Sequence, residues 1–188
     1  VGSPVALIDC TVAHCWAGSG GGLNLFLGSL RVVNTSFWNN SALAAGGAVV
    51  GDSLLGLSVW TSSFNANAAA TVGGAFVLSN QAGTAAFEHC TFASNTATVE
   101  AAGLSITAPQ LAVQLANCSW YANIAPRAPA VMCSVAAWQC MDCSVTNNTA
   151  LDGQSAAVMI GPSASASMPV TAYWLRLLCV SNIGGGIS

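Results

Sequence analysis

Lysine is absent from this chain of 188 residues, and charge of either sign is scarce. Three arginines (Arg31, Arg127, Arg176) face six carboxylates (Asp9, Asp52, Glu88, Glu100, Asp142, Asp152). Only 5% of the residues are charged, where an ordinary globular domain carries roughly 25%. Three arginines make no basic stripe, which argues against nucleic-acid binding and against docking on an anionic membrane surface. Long apolar runs are missing too. The chain is 54% hydrophobic, yet Asn, Ser, Thr, Gln or paired Gly interrupts every apolar stretch well before the roughly 20 residues a spanning helix needs. No membrane insertion is expected of this segment. An initiator Met and a visible signal peptide are also lacking, so a chain starting at Val1 reads as a mature product or an internal piece.

What is present is a repeat. One short pattern is an aromatic or apolar residue followed three places later by Asn: Phe37 and Asn40, Phe64 and Asn67, Phe92 and Asn95, Trp120 and Asn123, Val145 and Asn148. The other is a run of small residues ending in an apolar one, as in Gly46 to Val49, Gly73 to Phe76, Ala101 to Leu104 and Gly184 to Ile187. Looser copies are Gly20 to Leu23, Ala128 to Val131 and Ser155 to Val158. The asparagines at 40, 67, 95, 123 and 148 are separated by 27, 28, 28 and 25 residues. Cys15 fills the slot in the first row and Asn182 in the last, after a step of 34 that implies an inserted loop near Gly161 to Met168.

Aligned on that slot, other columns emerge. Two residues after it stand Ala17, Ala42, Ala69, Ala97, Ala125, Ala150 and Gly184. Three before it stand Val12, Phe37, Phe64, Phe92, Trp120, Val145 and Cys179; eight before it, Leu7, Val32, Val59, Phe87, Leu115, Cys140 and Trp174. Six before it every residue is polar: Asp9, Asn34, Thr61, His89, Asn117, Asp142 and Arg176. A period of 25 to 28 residues without helical amphipathicity suits one coil of three short strands and three bends. The expectation is an all-β fold, a right-handed single-stranded parallel β-helix of the pectin-lyase type, about seven coils long and occupying residues 1–188 as one segment. The polar column breaks the alternation of a strand and marks a bend, the paired glycines mark a bend needing positive φ or close backbone approach, and the alanines mark a tight interior corner. Asn40, Asn67, Asn95, Asn123, Asn148 and Asn182 are expected to stack as a structural amide ladder, coil upon coil at about 4.8 Å. Neither end offers the polar cap a solenoid requires, so a longer solenoid, or a partner over the ends, is expected.

Gly-Gly-Ala-apolar together with Phe-x-x-Asn resembles the repeats of the polymorphic outer membrane proteins of chlamydiae. The matches are Gly46 to Val49 with Phe37 to Asn40, Gly73 to Phe76 with Phe64 to Asn67, and Phe92 to Asn95. At the level of the repeat the resemblance covers most of the chain, and it implies a surface-displayed β-helical passenger involved in adhesion. Similar repeats occur in large surface proteins of algae and protists. The many cysteines and glycan acceptor sites depart from the bacterial pattern and favour a eukaryotic extracellular relative.

Disulfides are expected among Cys10, Cys15, Cys90, Cys118, Cys133, Cys140, Cys143 and Cys179, with connectivity open. Cys90, Cys118 and Cys143 share one column in consecutive coils, at a spacing a disulfide tolerates. Cys140-x-x-Cys143 has the spacing of half a zinc site but no second pair to complete it. Four Asn-x-Ser/Thr triplets make Asn34, Asn39, Asn117 and Asn147 candidate glycosylation sites. Asn34 and Asn117 lie in the polar bend column; Asn39 and Asn147 immediately precede the inward Asn.

These features point to a structural or adhesive module, extracellular or at the cell surface, without catalytic residue, cofactor or metal. Its partners would be other chains of a surface assembly, adjacent coils of the same protein, or glycans. One alternative is a polysaccharide lyase or hydrolase, for which the only constellation is His89, Asn117, Asp142 and Arg176 with Glu88 alongside; a solvated polar bend is the plainer reading. The other is a non-catalytic glycan-binding module using outward Trp38, Trp60 and Tyr121. His14, in the outward column with Asn39 and Asn147, reads as a solvated histidine.

Overall fold

The computed structural model describes residues 3–153, 156–161, 171–183 and 185–187. These fold into stacked coils of short parallel strands, with no helix among them. The first sheet takes the long strands: Pro4–Ile8, Leu23–Val33, Val49–Trp60, Phe76–Ser79 with Ala82–Glu88, Leu104–Ala116, Val131–Met141, Ala156–Gly161 with Thr171–Leu175, and Gly185–Ile187. The second holds seven three-residue strands: Thr11–Ala13, Ser36–Trp38, Ser63–Asn65, Thr91–Ala93, Ser119–Tyr121, Ser144–Thr146 and Leu178–Val180. The third holds six two-residue strands, from Trp16–Ala17 to Thr149–Ala150. The chain passes the second sheet seven times and so completes about six turns of a parallel β-solenoid.

Register follows the sequence columns. The last residues of the small-residue runs pair in one continuous row: Leu23 with Val49, Val49 with Phe76, Phe76 with Leu104, Leu104 with Val131, Val131 with Val158, and Val158 with Ile187. The polar column falls at the bend between the first and second sheets. All seven of its members adopt left-handed backbone, φ 46° to 54°. The residue before the amide slot does the same at the bend between the second and third sheets, from His14 at 57° to Ser181 at 55°. The third bend is taken by Gly20, Gly46 and Gly73 at φ 60° to 65°, and by Ala101 and Ala128 at 54° and 43°. Gly47 is needed for a different reason: a Cβ there would run into the carbonyl oxygens of Gly74 and Ala68.

The core is a set of vertical stacks. Phe37, Phe64, Phe92 and Trp120 lie face on face, with centroids 5.0, 4.9 and 5.4 Å apart and planes within 8°. Val32, Val59, Phe87 and Leu115 form the parallel apolar stack, and Ala42, Ala69, Ala97, Ala125 and Ala150 fill the inner corner. Each buried large side chain contributes about 1.5–3 kcal/mol, and repetition makes the sum large. Where Trp replaces Phe at 120, the run above carries Gly103, whose Cβ would stand 2.7 Å from the indole Cδ1. The larger ring takes the space of the missing methyl.

The inserted loop lies where the step of 34 placed it. Nine residues separate Gly161 from Thr171, against two between their partners Ser134 and Ala137. Residues 162–170 of that loop lie outside the described residues, as do Gly184 of the alanine column and Ser155 of the small-residue run. No described helix is long and apolar enough to cross a membrane.

Candidate functional site

The two bends flanking the second sheet concentrate the polar residues of the chain. At the bend between the second and third sheets the asparagines form the ladder. Each side-chain oxygen accepts from the backbone N–H and the amide of the asparagine one coil earlier: Asn40 donates both to Asn67 at 3.0 and 3.0 Å, Asn67 to Asn95 at 3.0 and 3.1 Å, Asn95 to Asn123 at 3.0 and 2.9 Å. Asn123 and Asn148 continue the pattern to Asn182. The second amide hydrogen goes to the carbonyl below the ring stack, as Asn95 to Phe64 at 2.9 Å and Asn123 to Phe92 at 2.9 Å. A backbone N–H can only donate, which fixes the orientation of every amide. At the first coil Cys15 stands in the slot and gives its N–H to Asn40 at 3.0 Å. The amides of Asn40, Asn67, Asn95, Asn123 and Asn148 are buried and fully satisfied, which makes them structural groups.

At the other bend the inward place is taken by Cys10, Thr35, Ser62, Cys90, Cys118 and Cys143, and in the last coil by Leu177, which packs against the core. The hydroxyl of Thr35 accepts from Cys10 N–H at 3.4 Å, and that of Ser62 from Thr35 N–H at 3.1 Å. The thiols of Cys90 and Cys118 reach the carbonyls of Val59 and Phe87 one coil back, at 3.4 and 3.5 Å. Thr35 and Ser62 were invisible as members of this column, because hydroxyl and thiol substitute for one another there. Cys140 and Cys143 are joined as a disulfide, Cα–Cα 6.3 Å, and the other six cysteines are free. That pair lies across a bend within one coil, and Cys90 and Cys118 stand as free thiols in the same column as Cys143. Burial pushes the Cys133 thiol well above its usual range. Its hydrogen bond to Cys90, with burial, does the same for Cys118.

Outward, the left-handed bend residues and the strand starts after them line a shallow groove. Near the first coils its volume is about 220 Å³, between Asp9, Thr11, Asn34, Ser36, Thr61 and Ser63. The strand starts make a column of hydroxyls, in which Ser63 donates to Ser36 and Ser119 to Thr91, each at 3.2 Å. All four candidate acceptor asparagines are exposed at left-handed bends on the edges of this face. Asn34 donates to Asp9 at 2.7 Å, and the Asn39 amide meets His14 at 2.9 Å. His14 also stands edge-on to Trp38, centroids 4.5 Å apart.

No protein-family model matches this chain, and no curated protein or solved structure matches it either. The repeat is that of a β-solenoid.

The constellation weighed for catalysis does share one bend. Asp142 is bound by Arg176, with Nη2 at 2.6 Å from Oδ2, and His89 leans on the neighbouring Glu88 at 3.7 Å. Asn117 stands between these pairs in the column. Elsewhere Glu100 is bound by Arg127 at 2.9 Å. The Asn80 amide beside Asp52 holds its carboxyl below the usual range. Among the described residues no three His, Cys, Asp or Glu converge as ligands of a metal. Trp38, Trp60 and Tyr121 are 44%, 49% and 49% exposed, on the outer faces of the second sheet and the end of the first.

Proposed function

We propose that this chain is a structural or adhesive rod module of an extracellular or cell-surface protein, and that it is not an enzyme. The observation that carries this reading is the regularity of the frame. Coil after coil repeats the same three strands, the same two left-handed bends and the same inward ladders, and Glu88, Glu100 and Asp142 each stand beside a histidine or arginine. A glycosidase needs two carboxyl groups about 5–9.5 Å apart with freedom to exchange protons, whereas Asp142 here is held by Arg176. Exposed acceptor asparagines, a disulfide and a low charge suit an oxidising, crowded surface. Other chains of a surface assembly are the expected partners, meeting its uncharged Ser/Thr faces and exposed aromatics.

The test is expression in a secreting eukaryotic cell, followed by intact mass before and after enzymatic deglycosylation and before and after reduction. The expected result is secreted protein that loses mass on deglycosylation and gains two hydrogens per disulfide on reduction. Protein retained in the cytosol, fully reduced and unmodified, would overturn the reading. A second reading, a non-catalytic glycan-binding module, is favoured by one feature: Trp38 lies exposed with His14 against its edge and the Asn39 amide beside them. Binding on a glycan array that Trp38→Ala abolishes would support it.

A further inference from the structure

Four sulfur atoms lie together at the bend between the first and second sheets. Cys90, Cys118 and Cys143 occupy the same inward place in three consecutive coils. Ser119 donates its backbone N–H to the carbonyl of Cys90, and Ser144 to that of Cys118, both at 2.9 Å. The strands that follow pair Thr91 with Ser119 and Ser119 with Ser144. The Cys90 and Cys118 thiols both turn inward and reach the carbonyls of Val59 and Phe87 one coil back. Cys140 reaches Cys143 from the end of the first sheet. All four side chains are 1–2% exposed.

Cys143 thus has two neighbours able to hold it. One is its present partner. The other is Cys118, one coil away, at a Cα spacing of about 4.8 Å that a disulfide accepts. Cys140 has no such second neighbour, because the first sheet pairs it with Leu115 on one side and Trp174 on the other.

We propose that the Cys140–Cys143 disulfide exchanges with the thiol stacked beneath it, so that Cys118–Cys143 is a second, inter-coil disulfide site of this protein. In the step the Cys118 thiolate attacks Cys143 Sγ. The Cys118–Cys143 bond forms as the Cys140–Cys143 bond breaks, and Cys140 leaves as a thiolate that takes up the proton Cys118 gave up. One disulfide and one thiol stand on each side, so no external oxidant or reductant is consumed. The product closes a loop of 25 residues rather than 3, and the longer loop restrains the unfolded chain more. It also ties two coils together, which the present bond does not. The exchange involves only the chain's own sulfurs and is independent of the surface-module reading.

The test uses the full chain, first treated with excess oxidised glutathione and then freed of it. After incubation at pH 7 to 8.5 it is quenched in acid, alkylated and digested without reduction. The expected result is a linked peptide pair holding Cys118 and Cys143, with Cys140 newly alkylated. Its formation rate should rise about tenfold per pH unit, because the thiolate attacks and the Cys118 thiol is mostly protonated there. A chain whose only linked pair stays Cys140–Cys143 at every pH, or one that leaves oxidised glutathione with eight alkylatable thiols, overturns the proposal. Cys140→Ser, which removes the present partner, should yield the Cys118–Cys143 bond directly under the same oxidation; seven free thiols in the folded variant would refute it.

Discussion

Removing one rung from the middle of the amide ladder measures what holds the coils in register. Asn95 is fully buried and makes four side-chain hydrogen bonds. Asn95→Ala leaves two donors without partners, the backbone N–H and one amide hydrogen of Asn67. The acceptors fare better, since Asn123 Oδ1 still receives the backbone N–H of residue 95 at 3.0 Å. An orphaned buried donor costs about 1–3 kcal/mol, so two cost about 4 kcal/mol. That is a factor of about 10³ in the folding equilibrium, against a total stability of about 5–15 kcal/mol. Urea unfolding of the full chain, followed by tryptophan fluorescence and circular dichroism, reads the loss as a fall in midpoint. Asn95→Asp separates hydrogen bonding from volume. At neutral pH it sets a carboxylate against the Phe64 carbonyl and the Asn123 oxygen, which should cost more than alanine does. Those contacts raise the folded-state pKa of the introduced carboxyl above the ordinary value of about 3.9. The variant's stability is therefore greatest below the ordinary value and is lost as pH rises through the folded one. A cost below about 1 kcal/mol for Asn95→Ala, or an aspartate variant as stable as the parent at pH 7, would refute the reasoning.

Three further outcomes follow from single positions. Gln81 is 2% exposed with neither amide atom bonded, so Gln81→Met should raise stability by about 1–2 kcal/mol in the same urea assay. Gly47→Ala should lower stability by about 3 kcal/mol, because its Cβ meets backbone oxygen. Gly56→Ala, with only Ser29 Cβ at 4.0 Å, should leave it unchanged or slightly higher. In the folded chain the partly exposed Cys10 and Cys15 should be alkylated by a small electrophile well before Cys90, Cys118 and Cys133; equal rates at all five would show that the coils open readily.

The fold was legible because stacking demands identity. An amide ladder works only if the next coil also offers an amide, so Asn recurs as Asn. A ring stack works with any flat ring, so Phe gives way to Trp and the column still reads. Where the demand is on backbone alone, the letters scatter. The seven left-handed residues between the first and second sheets include Thr61 and Arg176, and those between the second and third include Ala66 and Ala122. Neighbouring coils impose that conformation, and local propensity does not reveal it. The Ala-Ala-Gly order at 101–103 reads in sequence as one more small-residue run, but its glycine sits where it makes room for Trp120. The disulfide was not legible as a pair, because Cys140 occupies a place that other coils give to Leu, Val, Phe or Trp.

The acceptor triplets have an origin in the bends themselves. Between the first and second sheets the chain needs a left-handed residue, then a small inward group that bonds across coils, then an outward strand start. Asn34-Thr35-Ser36 and Asn117-Cys118-Ser119 meet that need. So do Asp9-Cys10-Thr11, Thr61-Ser62-Ser63, His89-Cys90-Thr91 and Asp142-Cys143-Ser144, which are not acceptors. At this bend Asn, which tolerates left-handed backbone well, takes the first place twice, and both times an acceptor triplet results; Arg176-Leu177-Leu178 in the last coil departs from the pattern. Occupancy is therefore the informative quantity, and the structure orders it. The amides of Asn34 and Asn39 are already held by Asp9 and His14, while no side-chain hydrogen bond holds Asn117 or Asn147 among the described residues. In secreted protein, glycopeptide mapping should find Asn117 and Asn147 at least as fully modified as Asn34 and Asn39. Ser119→Ala should erase the glycan at Asn117 while moving stability by less than about 0.5 kcal/mol, because it removes one half-exposed hydroxyl bond to Thr91. Glycans at those positions would line both edges of the Ser/Thr face. Lateral contacts would then fall to the third-sheet side, where Trp16, Leu43 and Leu151 are each more than 60% exposed. Unmodified Asn34 and Asn117 in secreted protein would mean that this bend alone accounts for their triplets, and four unmodified asparagines would leave the Ser/Thr face open to a partner.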